Sequence, residues 1–328
     1  MSKAQPAKEE PITARTSAGN VVIHPLDTAD APITAAMRAM LRSTKGTRPG
    51  SDARAQYDTL MESVPARNDV TFEADTVDGV PGLWVHPANW RPDEAIVHLH
   101  GGWFTLGSAK AYRHLVGHIA ARAGARAFIP DYRLAPESPF PAAVRDVLAC
   151  YQGLAARDVH RIALTGDSAG GNLALVLASR VTGEAASVNT TLVGVAVMSP
   201  VTDLTLSSAT YETRADADFF FTRAQVAELV HSYLGSADAR DPLASPFFGR
   251  HSGMPGIRIH VGDDELLLDD SLRYVERAVS AGVDARADVW MGMPHGFPAS
   301  VGRFKAAAQA LDDIGGFLAE KFRAHASA

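Results

Sequence analysis

One cysteine, Cys150, stands in 328 residues, so an intrachain disulfide is excluded. Its neighbours Val147, Leu148 and Ala149 are apolar, and a small buried thiol in a helix is the expected reading. Runs of lysine and arginine are missing, and the formal net charge is −6. Nucleic acid and anionic membranes both call for clustered cations, so neither is an expected partner. Nor does any stretch reach the ~18–20 uninterrupted apolar residues of a membrane span. Met1 to Pro11 is polar, without the apolar centre of a secretion signal. A soluble cytoplasmic protein is the expectation. What the chain does have is 46% hydrophobic residues, enough for a large core.

Residues 1 to about 30 read as flexible at the start. Ile33, Met37, Met40 and Leu41 then recur at helical spacing, as do Tyr57, Leu60, Met61 and Val64, with a loop over 43–50 between them. From periodicity alone these two stripes are packing surfaces. From about 69 onward strands alternate with helices. Eight strands are predicted, near 70–74, 82–85, 95–99, 126–130, 161–165, 192–198, 257–261 and 285–290. Helices are predicted near 109–123, from 141, after 168, and over the amphipathic C-terminal stretch from Phe304 to Phe322. Such alternation implies a mostly parallel sheet covered on both faces, with chemistry beyond the carboxyl ends of its strands. The stretch 201–250 breaks the alternation. It is polar, carries Phe219-Phe220-Phe221, and holds a helix near 223–234.

Gly166-Asp167-Ser168-Ala169-Gly170 follows a predicted strand and opens a predicted helix. A lone G-x-S-x-G arises by chance; in this context it is a nucleophile elbow that lifts Ser168 above the sheet. A serine hydroxyl needs a base. In this arrangement the acid and then the histidine follow along the chain, each after a strand. His295 fits, whereas His231, His251, His260 and His325 fall in a helix, a loop too early, a strand and the tail. The acidic run after the preceding strand offers Asp263, Asp264 and Glu265, and spacing alone leaves the three open. His100-Gly101-Gly102-Trp103 also follows a strand. Backbone N–H groups there, with that of Ala169, can hold a developing oxyanion, each contributing about 3–4 kcal/mol.

Together these residues resemble the hormone-sensitive-lipase-like branch of the α/β-hydrolases, over about residues 67–325. The oxyanion turn continues as Phe104-Thr105-Leu106-Gly107-Ser108, the D-Y-R-L-A-P-E block is Asp131 to Glu137, the elbow extends to Gly171, and S-P-x-T-D-L is Ser199 to Leu204. The resemblance implies an α/β-hydrolase core over 67–200 and 251–328, with 1–66 and 201–250 forming a helical cap. It implies a serine carboxylesterase, with Gly101, Gly102, Trp103 and Ala169 at the oxyanion hole and no cofactor or metal. Counted from Asp269-Asp270-Ser271, the acid slot falls on Glu265, with Asp264 its rival. Trp103 replaces the third glycine of the turn, and its ring is expected to narrow the acyl pocket toward short acids. Met37, Met40, Phe219 and Phe221 are candidate cap residues facing the substrate, although packing explains each equally well. A small-molecule ester is the implied substrate. A homodimer through an edge strand near 286–290 is allowed by the same analogy. An amidase or N-deacetylase using the same residues, a non-catalytic receptor and an interfacial lipase are the rival readings.

Overall fold

The computed structural model describes residues 19–46, 52–183 and 190–326. The polar start and the second half of the 43–50 loop lie outside them. Nine strands form one sheet in the order β1-β9-β8-β7-β6-β4-β5-β3-β2. Only β2 (Val70–Val77) and β3 (Val80–Pro87) run antiparallel to their neighbours. The parallel set comprises β4 (Glu94–Leu99), β5 (Ala127–Pro130), β6 (Arg161–Asp167), β7 (Thr191–Met198), β8 (Ile257–Gly262), β9 (Ala285–Trp290) and β1 (Val21–His24).

The ninth strand corrects the expected count of eight. Val21–His24 lies in the segment expected to be flexible, but it pairs in parallel with Ala287–Trp290. His24 Nε2 donates to the Asp288 carboxylate at 2.9 Å, and the ring stacks on Trp290 with centroids 3.8 Å apart. A second correction follows. β9 is not a sheet edge, because β1 covers it, so the dimer contact expected through 286–290 is already occupied within the chain.

Side chains alternate between two apolar layers, as period-two strands require. Ile96 and Ala163 face α3 (Ala109–Ala123) and α9 (Lys305–Ala324). Val97, Leu99, Ile162 and Leu164 face α4 (Ala142–Ala155), α5 (Ala169–Gly183) and α8 (Leu268–Ser280). Of the N-terminal helices, α1 (Ala31–Leu41) sends Ile33 and Met37 against the first layer, and α2 (Ala53–Glu62) sends Tyr57 and Met61 there. The connection from β7 to β8 carries α6 (Thr210–Thr213) and α7 (Arg223–Leu234), matching the predicted interruption. Cys150 is buried with its thiol pKa pushed up to about 12 by desolvation, the inert environment expected of it. Among the described residues no helix is long and apolar enough to cross a membrane.

Candidate active site

β6 ends at Asp167 and α5 begins at Ala169, leaving Ser168 alone in the turn at φ 54°. For a residue with a Cβ this left-handed conformation is strained, and such strain persists where its surroundings enforce it. Here the Ser168 amide donates to Met198 O at 2.8 Å, and the amides of Asn172 and Val201 both donate to Ser168 O. The helix starts so close to β4 that a Cβ on Gly170 would sit 1.8 Å from Leu99 O. Ser168 is 3% exposed.

His295 lies in the loop after β9, with Nδ1 2.6 Å from Glu265 Oε2. Glu265 is fully buried, and its other oxygen accepts from the Gly262 amide and the Ser199 hydroxyl, each at 2.7 Å. Both carboxylate oxygens are thereby fixed. Ser199 also accepts from the Gly296 amide at 3.3 Å, tying the histidine loop to the end of β7. Burial pulls the His295 imidazole toward its neutral form, but the charge and hydrogen bond of Glu265, helped by Asp218 and Asp167, more than offset this, and the net pKa is raised.

Asp264 turns the other way and pairs with Arg38 of α1. Asp263 accepts from the Gly292 amide, and burial beside Asp264 pushes its pKa up to about 6. Of the three acids left open by spacing, only Glu265 meets His295.

The turn after β4 has three consecutive residues at positive φ: Gly102 at 112°, Trp103 at 51° and Phe104 at 62°. The Gly101 amide donates to Asp167 Oδ1 at 3.0 Å. It is therefore committed to the protein, which removes Gly101 from the expected oxyanion donors. The amides of Gly102, Trp103 and Ala169 have no hydrogen-bond partner among the described residues. Gly101 still has to be glycine, since a Cβ there would lie 2.2 Å from Asp167 Oδ2. His100 is buried, with its pKa lowered to about 4 by desolvation, stacked on Tyr132, whose hydroxyl donates to His100 O at 2.6 Å.

Trp103 is 4% exposed, and its ring meets Phe221 edge-on at 5.5 Å. Phe221 in turn meets the His295 ring edge-on at 5.3 Å. Phe219 is buried under the Arg38 guanidinium, 4.7 Å from its ring. Met37 is half-buried against the core, and Met40 is 62% exposed, open to solvent and not part of this aromatic wall. The turn carrying the phenylalanines hangs on Asp218, which sequence reading passed over. Its buried carboxylate accepts from the amides of Phe220, Phe221 and Leu266 at 2.7–2.9 Å. Ser199 was legible as part of a motif, but its bond to the acid was not.

His24, Asp288 and Asp313 form the one grouping among the described residues whose metal-ligating atoms lie within 4.8 Å of one another. His24 and Arg286 already engage the two oxygens of Asp288, so the group serves as the clasp of β1.

A profile of the alpha/beta hydrolase fold matches residues 96–299. An acetyl-hydrolase of Streptomyces hygroscopicus is 34% identical over 245 residues, 74% of this chain and 80% of that protein. An esterase of Acinetobacter venetianus is 33% identical over 80% of this chain and 87% of its own. Among solved structures, an esterase from the bacterial hormone-sensitive lipase family superposes with a TM-score of 0.82 at 35% identity, covering 88% of this chain and 98% of that one. A hormone-sensitive lipase from a metagenome library reaches 0.83 at 31% identity, covering 90% and 99%.

Proposed function

The chain belongs to the hormone-sensitive-lipase-like branch of the α/β-hydrolases and is a carboxylic ester hydrolase, and from this premise we propose that it cleaves short-chain acyl esters through an acyl-enzyme on Ser168. His295 takes the Ser168 proton as Oγ attacks the ester carbonyl carbon. The carbonyl electrons move onto oxygen, and the oxyanion is received by the amides of Gly102, Trp103 and Ala169. As the tetrahedral intermediate collapses, the ester C–O bond breaks and the leaving alcohol takes the proton from His295. Water, deprotonated by the same imidazole, then attacks the acyl carbon; as the bond to Ser168 Oγ breaks, the imidazolium returns its proton to that oxygen and the acid departs. Glu265 fixes the imidazole tautomer and stabilises the imidazolium. Neither a metal nor an organic cofactor is assigned a role.

The observation that carries this reading is the Glu265–His295 contact at 2.6 Å, held by Ser199 and Gly262, at an imidazole that also feels the charge of Asp167, the neighbour of the strained Ser168. The preference for short acids is supported by the buried ring of Trp103 closed against Phe221, and by the name acetyl-hydrolase borne by the Streptomyces relative. The helices α1 and α2 and the segment 201–250 act as the cap in this reading, whereas β1, expected to belong to it, is part of the sheet; Phe221 is the cap's wall beside His295.

The test is hydrolysis of p-nitrophenyl esters from acetyl upward, with matched anilides, by the wild type and Ser168→Ala. Turnover greatest at short acids and absent in the variant is expected. Activity surviving in Ser168→Ala rejects the nucleophile, and faster cleavage of anilides than of esters moves the assignment to an amidase.

A further inference from the structure

We propose that α2 is a brace for the oxyanion turn, and that Arg54, Tyr57 and Asp58 are positioning residues that act on catalysis without touching substrate. The inference rests on the reading above, in which Gly102 and Trp103 supply the oxyanion donors.

The turn needs a brace. Trp103 and Phe104 are held at positive φ, where a Cβ crowds the following carbonyl oxygen. A conformation of that kind survives only where its surroundings over-determine it. Part of the restraint is local: the Thr105 and Leu106 amides donate to Gly102 O at 3.0 and 2.9 Å, and the Ala135 amide donates to Phe104 O at 2.9 Å. The rest comes from one face of α2.

Residues 54, 57 and 58 are spaced i, i+3, i+4, so their side chains project from a single helix face. Arg54 Nε donates to Thr105 O at 2.8 Å, and its Nη2 donates to Ala135 O at 3.0 Å. It thus bridges the strained turn to the segment beside it, while Glu137 holds the guanidinium in a bidentate pair at 3.0 and 2.7 Å. Asp58 accepts from the Ser108 hydroxyl at 2.9 Å, and Ser108 is the residue that caps α3 by accepting from the Ala111 amide. The entry and exit of the turn's return limb are both fastened to α2.

Tyr57 reaches the donors themselves. Its hydroxyl lies 2.6 Å from that of Tyr112, which donates to Asp167 Oδ2 at 2.9 Å. The Tyr112 proton is spent on Asp167, so Tyr57 is the donor of the pair. Asp167 Oδ1 accepts the Gly101 amide, one residue before Gly102. Three hydrogen bonds therefore run from α2 to the backbone that aims the oxyanion donors, and Asp167 is also the immediate neighbour of Ser168. Among the described groups facing Asp167 is His98, with Nε2 3.8 Å away, fully buried and held neutral, its pKa lowered to about 3.

A brace of this kind acts on the transition state and leaves ground-state binding alone, which separates it from a substrate-binding wall. The test uses Arg54→Met, which keeps the aliphatic stem, Arg54→Lys, and Tyr57→Phe, measured beside the wild type and Ser168→Ala. The readouts are kcat, KM, melting temperature, and inhibition by an alkyl trifluoromethyl ketone, which adds to the serine and places an oxyanion in the hole. Arg54→Met and Tyr57→Phe are expected to lower kcat about tenfold, because small misplacements of preorganised donors carry large rate penalties. KM stays within about twofold, and the ketone Ki rises by the same factor as kcat/KM falls. Arg54→Lys recovers part of both. A rise in KM at unchanged kcat, wild-type values throughout, or lost activity with unchanged ketone affinity each overturn the brace. If Ser168→Ala retains activity, the reading of the site falls and the brace with it, an outcome distinct from these three.

Discussion

Glu265 and Asp264 are neighbours with opposite surroundings. Glu265 is sealed between Ser199, Gly262 and His295, whereas Asp264 shares a partly exposed ion pair with Arg38. Replacing Glu265 by Gln removes the charge that raises the His295 pKa. A general base works when neutral, so kcat/KM falls as pH drops through that pKa. In Glu265→Gln the acid limb of the pH profile moves to lower pH, and kcat drops by about 10³–10⁴ as the tautomer is lost. Asp264→Asn is expected to keep kcat within a few-fold of wild type, since a surface pair contributes about 1 kcal/mol or less. Trp103 poses the other question at this scale. Trp103→Gly relieves roughly 1–2 kcal/mol of backbone strain but forfeits a buried ring, a loss of about 3–5 kcal/mol. The melting temperature therefore falls, while the p-nitrophenyl ester profile extends to longer acids. A profile unchanged in Trp103→Gly would reject the ring as the limit on acyl length.

Among the elements, the turn bearing Phe219, Phe220 and Phe221 depends on a single carboxylate. Asp218→Ala leaves three amides unpaired, that of Leu266 buried and those of Phe220 and Phe221 partly so, and the buried one alone costs about 1–3 kcal/mol. It also releases Phe221 from its place between Trp103 and His295. The expected result is a lower melting temperature and a broader acyl profile with raised KM, read by thermal denaturation and by the ester series. The elbow is the opposite case, because its local chemistry is written in consecutive residues. A strand, G-x-S-x-G and a helix are contiguous, which is why Ser168 was legible. Glu265 was legible only through resemblance, since three adjacent acids satisfy the same spacing and the choice depends on which carboxylate Ser199 and Gly262 enclose. Gly101 was misassigned because its motif position says nothing of Asp167 taking its amide. The polar ties of Arg54, Tyr57 and Asp58 left no trace in the periodicity of α2, which reports its apolar face alone.

For the whole molecule, the strands of the sheet were legible except at one edge. Val21–His24 is too short and too far from polar flanks of its own kind to announce itself, and its partner lies more than 260 residues away in sequence. Asp30 completes the attachment by accepting from the amides of Lys305 and Ala306 at the start of α9, at 2.8 and 2.9 Å. Removal of residues 1–25 is expected to lower the melting temperature by several degrees and to bare the edge of β9. Light scattering should then show dimers or larger species, since an unpaired strand edge is a template for association. A truncated chain with the same mass in solution and the same melting temperature as the full chain would mean that β1 contributes little.

The clasp between the first strand and the last also has a kinetic meaning. Contacts of such sequence separation form slowly, because loop closure must precede any gain from pairing. During synthesis the N-terminal strand leaves the ribosome first and waits for β9, which is among the last elements made. His295 follows β9 directly, so the partner of β1 and the proposed catalytic base emerge together. Hydrolytic activity in a synchronised translation reaction would therefore lag behind release of the full-length chain.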